Sequence, residues 1–457
     1  VDQPVTDTAS HTFLEGNFAP VGTEVTAWDL PVRGALPPEL DGTYVRNGPN
    51  PVAADPSNYH WFIGEGMLHG VRLSGGKAQW YRNRWVRSPK VAAMQGRERI
   101  PRQEGGFFPG QGNTNVVAHA GTLLALTEGS LPYRLDSEFE TICETNFGGV
   151  LPYGVNAHPK FDPVTGNMHV MSYHFLDALL GYHEIDTDGH LVRTELLATA
   201  KPVMAHDMAI TSSKVVAFDL PVVFDLDMAA AGRAMPFRWD DEYVPRVGLM
   251  PRNGGAEDTV WLEVEPCYVF HPLNAYDDGD AVVVDVARHP SMFRTDLDEG
   301  EGPPVLVRWR LDPVRGTVTS ELLDDRPQEF PRINEHFTGM PHRFGYTAGV
   351  GVAQLGGGND VTTSVIKHDL HTGVTQEHDM GRGRTAGEFV FVPSSEARNE
   401  DDGWLMGFVH DASTGQSELV VIDATDVTAE PVAVVELPVR VPAGFHGNWV
   451  DHSALED

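Results

Sequence analysis

The chain of 457 residues is long enough to bury a substantial core without disulfide or metal staples, and its 41% hydrophobic and 21% charged content is that of a soluble globular protein. Its 33 Lys plus Arg against 65 Asp plus Glu give a net charge of −32. That charge excludes a nucleic-acid partner and disfavours adsorption to anionic lipid, because both need clustered cations; its ordinary role is solubility through self-repulsion. Cys143 and Cys267 are the two cysteines, with no Cys-x-x-Cys, so a thiolate zinc site is excluded and two free thiols in a reducing cytoplasm are expected.

The first residues, Val1 to Phe18, are polar and acidic and lack the basic start and apolar run of a signal peptide. No stretch reaches the ~18 uninterrupted apolar residues of a membrane span, so a soluble, cytoplasmic protein is expected. Strand-like runs then follow one another: Thr122–Leu126, Met168–Tyr173, Val215–Asp219, Ala281–Val286, Val305–Leu311, Phe389–Val392, Trp404–Val409 and Leu419–Ile422. They are rich in Val and aromatics and bounded by Gly, Pro or Asp. Turns of one form recur at Pro163–Gly166, Asp186–Gly189, Pro313–Gly316 and Ala412–Gly415, where Gly supplies the positive φ of a tight hairpin. The Gly-, Pro- and Arg-rich segment Pro89–Gly112 reads as a loop, and Met228–Ala234 as one short helix in a connection. Hairpins along most of the chain, without a Gly/Ser linker, predict one all-β domain over residues 1–457. A propeller suits this size, since radial repetition leaves few open sheet edges; no Trp-Asp or kelch repeat counts its blades.

Among 20 histidines, four share a local setting: Ala157-His158-Pro159, Ala205-His206-Asp207, Phe270-His271-Pro272 and Phe445-His446-Gly447. Each follows an apolar residue and precedes one that can end or turn a strand. Such side chains can point into a space where strands converge, and neutral imidazole ligates Fe, Zn, Cu or Ni. Leu68-His69-Gly70 and Ala118-His119-Ala120 share much of that grammar, and the gaps of 48, 65 and 175 residues match no short metal motif. On spacing alone, packed core histidines and a metal site both remain open readings.

The chain resembles the carotenoid cleavage oxygenases, a family that includes stilbene-cleaving oxygenases and a retinoid isomerohydrolase. The resemblance is carried by Tyr44-Val-Arg-Asn-Gly-Pro-Asn-Pro51, Gly64-Glu-Gly-Met-Leu-His-Gly70, Asn113-Thr-Asn115, Ala157-His-Pro-Lys-Phe-Asp-Pro-Val-Thr-Gly166, Met204-Ala-His-Asp-Met208, Glu329-Phe-Pro-Arg-Ile-Asn334, Glu400-Asp-Asp-Gly403 and Pro442-Ala-Gly-Phe-His-Gly447. These motifs run almost end to end.

The resemblance implies a seven-bladed propeller, with loops and short helices capping one face over a metal site. It implies one Fe2+ per chain on His158, His206, His271 and His446, backed by Glu128, Glu329 and Glu388, with Glu128 on His206, Glu329 on His271 and Glu388 on His446. A carboxylate accepting the outer imidazole N–H fixes the tautomer and makes the ligating nitrogen more basic. Thr114 falls where the family sets a small residue beside a vacant coordination position. The reaction implied adds O2 across an electron-rich alkene and splits it into two carbonyls, without NAD(P)H, flavin or 2-oxoglutarate. In keeping with this, Gly356-Gly-Gly358 lacks the strand–turn–helix setting of a dinucleotide site.

Stilbene-cleaving members have a Lys before the first of these glutamates, and Thr127 stands there instead, which favours a carotenoid or apocarotenoid over a hydroxystilbene. Expected lining residues of an apolar tunnel are Phe107, Phe108, Phe224, Met228, Met235, Phe237, Phe270 and Phe445, with a mouth at Gly105–Gly110 and Leu220–Phe237. The partner implied is a lipophilic alkene, with at most weak peripheral membrane contact and no obligate protein partner. Competing readings are a stilbene-cleaving dioxygenase, a cation-dependent hydrolytic propeller, a non-catalytic lipophile-binding propeller, and isomerase or hydrolase chemistry within the family.

Overall fold

Runs of Val, Ile and aromatic residues punctuated by positive-φ glycines fold as a succession of antiparallel sheets. The computed structural model describes residues 12–295, 300–350 and 364–455, so the Gly356–Gly358 run lies outside the described residues. The hairpin glycines Gly166, Gly189, Gly316 and Gly415 adopt φ of 75°, 80°, 67° and 66°, the conformation that their turns require.

Seven sheets of at least four strands are arranged as the blades of a β-propeller. Named from the axis outward, blade 1 is Gly447–Asp451, Gly42–Pro49, Gly66–Ser74, Lys77–Trp85 and Thr26–Trp28. Blades 2 and 3 begin with Asn115–His119 and Lys160–Phe161, and blades 4 and 5 with Met208–Ile210 and Tyr268–Asp278. Blade 6 begins with Gln328–Arg332, and in blade 7 Arg384–Ala386 and Val390–Pro393 both pair with Gly403–Asp411. The ring is locked twice. The C-terminal strand Gly447–Asp451 becomes the innermost strand of blade 1, pairing with Gly42–Arg46. Val32–Gly34, which follows Thr26–Trp28 in the chain, adds the outermost strand of blade 7, against Ala433–Val435.

The cores lie between blades. Tyr44, Val71 and Leu73 of blade 1 pack with Phe408, Leu419 and Val421 of blade 7, and Val117 and Leu124 of blade 2 with Val170 and Ile185 of blade 3. Because adjacent sheets bury each other's faces, the axis is left to the ends of the inner strands.

Two helical expectations need correction. Pro89–Gly112 is not all loop: Pro89–Gln95 is an α-helix whose N-cap Ser88 accepts the Val91 N–H at 3.3 Å, with Pro in the first turn and Gly96 as a left-handed C-cap. The cap residues were legible in sequence, but the surrounding glycines and prolines masked them. The second helix is Leu226–Ala230 rather than Met228–Ala234, because Asp225 caps it from the Met228 N–H at 3.0 Å and so starts it earlier. It crowns an excursion of blade 4 whose hairpin pairs Val222–Phe224 with Phe237–Trp239. Cys143 and Cys267 are free thiols. Among the described residues no helix is long and apolar enough to cross a membrane.

Candidate metal centre

Each clustered imidazole stands at the axial end of a different blade, fastened by buried amides. His158 precedes Lys160–Phe161, where Asn115 Nδ2 donates to the Ala157 carbonyl at 2.8 Å. Asn156 links two of the histidines: its Nδ2 donates to the His206 carbonyl at 2.9 Å, and its Oδ1 accepts the His158 N–H at 3.3 Å. His271 sits at a register shift of blade 5, where Pro272 removes a ladder donor and the strand bulges, which re-aims the side chain. His446 donates its backbone N–H to the Thr114 carbonyl at 3.2 Å.

One nitrogen from each of His158, His206, His271 and His446 falls within 4.8 Å of every other, although the residues are dispersed over the chain. Opposed imidazoles at ~2.1 Å from one ion would stand ~4.2 Å apart, so the cluster is close to the size of a coordination sphere. The Nε2 atoms of His158 and His271 are buried without a hydrogen-bond partner. Orphaned buried acceptors facing one another are costly unless something electrophilic sits between them, so the donor set fits a divalent cation that favours imidazole. His69 lies elsewhere, with Nδ1 on the Tyr81 hydroxyl at 2.8 Å, and His119 Nε2 meets the Asp186 carbonyl at 2.7 Å.

Behind the cluster, the structure puts Glu329 Oε2 2.7 Å from His271 Nδ1 and Glu388 Oε1 3.0 Å from His446 Nδ1, while Glu128 is paired with His206 Nδ1. Burial opposes ionisation of Glu388, yet Arg332 and His446 hold its carboxyl down to about 2. Glu329 is likewise buried, and His271 and His289 hold it well below the carboxylate range. His206 is buried too, but the Glu128 carboxylate raises its pKa. His158 is different: burial and the three other imidazoles push its pKa far down. Its nearest carboxylate is Asp207 at 4.0 Å, itself bridged by Lys160 at 2.9 Å.

Sequence reasoning missed the partners of these carboxylates. His289 Nε2 reaches Glu329 Oε1 at 3.0 Å, Arg332 approaches Glu388 at 3.2 Å, and the Tyr173 hydroxyl donates to Glu128. Phe330, beside Glu329, holds φ of 52°, a strained state for a bulky residue, and stacks on His271 at 5.6 Å. Only the run Arg288-His289-Pro290, another strand-end histidine, offered a signal for any of them.

The cluster separates two cavities. The larger, about 650 Å³, is lined by His206, His271 and His446, with Phe108, Phe224, Met235, Phe237, Phe270 and Phe445 among its walls. Phe107 and Met228, expected there, are not part of the wall: the Phe107 ring stacks on Tyr153 at 5.5 Å, and Met228 belongs to the capped helix. Trp61, Phe62 and Phe293 are walls the sequence did not suggest. Thr114 and Thr127 also line it, but both hydroxyls are engaged by Asn113, that of Thr114 donating to Asn113 Oδ1 at 2.9 Å. The smaller cavity, about 100 Å³, is lined by His158, His271, His446, Lys160, Asp207 and Arg332, among others.

The fold and site together define a seven-bladed propeller in which four imidazoles that could hold a metal ion converge beneath an aromatic cavity. The family described as retinal pigment epithelial membrane protein matches residues 18–451. A "Carotenoid cleavage oxygenase" of Mycobacterium tuberculosis is 44% identical over 96% of this chain and 97% of its own length. Among solved structures, the lignostilbene dioxygenase of Pseudomonas brassicacearum superposes with a TM-score of 0.86 at 26% identity, over 96% of this chain and 98% of that one. The cobalt-substituted Synechocystis apocarotenoid oxygenase does so with a TM-score of 0.83 at 27% identity, over 94% and 97%. The chain belongs to the carotenoid cleavage oxygenase family.

Proposed function

We propose that this chain is an iron(II)-dependent dioxygenase that cleaves one C=C bond of a carotenoid or apocarotenoid with O2, giving two carbonyl products. The observation that carries the reading is the set of four imidazole nitrogens within 4.8 Å at the floor of a cavity walled by aromatic rings. Ferrous iron held by His158, His206, His271 and His446 would supply the activation of dioxygen. Glu128, Glu329 and Glu388 fix the imidazole tautomers through Nδ1, leaving Nε2 for the ion. Phe270 and Phe445, beside the ligands in sequence, press a flat polyene over the floor and keep water out. Thr114 helps to seat His446 through its backbone carbonyl, and its side chain narrows the space beside the ion. The alkene supplies the electrons, so no nicotinamide, flavin or 2-oxoacid is needed.

Thr127 favours a polyene over a hydroxystilbene: it carries no ammonium for a phenolate, and Asn113 already engages its hydroxyl. A stilbene substrate is the second reading, supported by the likeness to a lignostilbene dioxygenase. We read residues 1–457 as one soluble unit that works without a protein partner. Phe108 and Leu226 are exposed, and they would meet a lipid surface only briefly at a net charge of −32.

The test is incubation of anaerobically isolated protein with a panel of apocarotenoids and hydroxystilbenes under labelled dioxygen, with products identified by mass. Label in both aldehydes and about one iron per chain are expected. Iron-free protein, or product labelled on one fragment alone, would refute the reading.

A further inference from the structure

Glu329 is gripped by two histidines of the same blade. His289 ends the strand Ala281–His289, which runs antiparallel to the inner strand Tyr268–Asp278 of blade 5, with His289 opposite Tyr268. In an uninterrupted ladder side chains alternate between the two faces, so His271, three positions beyond Tyr268, would face away from His289. Val269 pairs with Arg288 but Pro272 pairs with Val286, so the inner strand carries one extra residue between those pairs. That residue restores the parity and puts both imidazoles on one face of the blade. There they meet Glu329, from the strand Gln328–Arg332 of blade 6, with His271 Nδ1 2.7 Å from Oε2 and His289 Nε2 3.0 Å from Oε1.

Burial opposes ionisation of Glu329, yet the two imidazoles hold its carboxyl well below the carboxylate range. An ionised carboxylate only accepts, so each ring carries a proton on the nitrogen that faces it. The two oxygens are not equally held. Oε2 accepts from His271 and from the Phe330 N–H, whereas His289 is the donor on Oε1. The other nitrogen of His289, Nδ1, is buried with no hydrogen-bond partner among the described residues. Such a nitrogen is a cost that a phenylalanine at this position would not carry, so what a histidine contributes here is its bond to Glu329. The ring also borders the large cavity, 5.2 Å from that of Phe270. With Nε2 spent on Glu329 and Nδ1 buried, it offers a substrate no polar contact.

We infer that His289 is a positioning residue of the metal centre: it pins Oε1 of Glu329 so that Oε2 stays aimed at His271 Nδ1, and thereby holds the His271 ring in its ligating orientation and tautomer. Without the His289 donor, Oε1 would be a buried, unpaired charge, and the carboxylate would gain by turning away from His271 to satisfy it. The grip comes from blade 5 itself, so the ring of His271 and the clamp on its carboxylate move as one body. The inference rests on the metal reading above, but its test is a binding measurement that needs neither dioxygen nor alkene.

The probe is cobalt(II) added to metal-free full-length protein, with affinity read by competition against a chelator. His289→Phe keeps a ring beside Phe270 and removes the donor. It should weaken cobalt binding roughly tenfold, the lower end for outer partners of a ligand, and shift the visible bands of the cobalt form. In a Glu329→Gln background the same substitution should change affinity by less than about twofold, because the charge it positions is already gone. No loss in the wild-type background, or an equal loss in both, would overturn the inference, since a packing role adds independently of Glu329. Should His289→Phe fail to fold by circular dichroism, the ring N–H signals of protein carrying nitrogen-labelled histidine decide the matter. Glu329→Gln should move those of both His271 and His289, and a stationary His289 signal defeats the assignment. Wild-type protein that takes up no cobalt would sink this inference and the iron reading together, whereas coupling without cleavage of any polyene would sink the dioxygenase reading alone.

Discussion

His206 and His158 face opposite sides of the same cluster, and their surroundings differ in kind. His206 opens on the large aromatic cavity and is backed directly by Glu128, which in turn accepts from Tyr173. His158 opens on the small cavity, and its nearest carboxylate, Asp207, stands 4.0 Å away and is held by Lys160. His271 and His446 border both cavities and each has a carboxylate within 3.0 Å. Of the three carboxylates on the imidazoles, Glu388 is paired with Arg332 at 3.2 Å, and the more distant Asp207 carries Lys160. The contrast teaches that the imidazole facing only the aromatic cavity has a carboxylate directly on its ring, whereas the one facing only the small cavity has a carboxylate set back and held by a lysine.

On the proposed function, the largest effect that sharpens this contrast is loss of an imidazole shared by both sides. His271→Ala should lower metal content toward none and turnover by more than about a hundredfold, beyond the usual range for outer partners. Elemental analysis and circular dichroism together check it, because the blade cores are untouched. Glu329→Gln keeps the shape but removes the charge behind His271, and metal affinity should fall roughly 10–100-fold. Equilibrium dialysis with a competing chelator measures this, and an unchanged affinity would mean that the carboxylate only orients the ring.

The acid limb of stability comes next. Glu388 is held at about 2 against an ordinary value near ~4.3, so its interactions stabilise the folded chain above the unfolded-state pKa and are lost as pH falls toward 2. For metal-free protein, unfolding free energy should decline between about pH 4.5 and 2, on the order of 3 kcal/mol of it from this one group. Glu388→Gln should flatten that limb, and parallel curves for the two proteins would remove Glu388 from the account. The smallest effect is expected on the other side of the cluster. Asp207→Asn should change metal affinity by less than about tenfold, because 4.0 Å exceeds hydrogen-bond reach. A loss as large as that of Glu329→Gln would erase the distinction between the two sides.

Much of this was legible before folding was considered. All eight strand runs read from the sequence fall in strands, Thr122–Leu126 and Met168–Tyr173 with their full bounds and Phe389–Val392 displaced by one residue. Period, β-branching and flanking turn residues are local signals, and hairpin sheets express them directly. The short helices were misjudged where a single cap residue, Ser88 or Asp225, outweighed the composition around it. The strand-end grammar of the histidines admitted His69 and His119 alongside the clustered set, and only the family resemblance separated them.

By itself, the sequence determined an all-β chain of short hairpins, its acidity, and a shortlist of histidines that can end strands. Which imidazoles meet, which carboxylate backs each one, that His289 and Arg332 share those carboxylates, and that Phe107 lies outside the cavity wall were decided by tertiary structure alone. The reason is physical: these contacts join residues tens to hundreds of positions apart, and they exist only once the blades close into a ring and bring the ends of their inner strands to one axis.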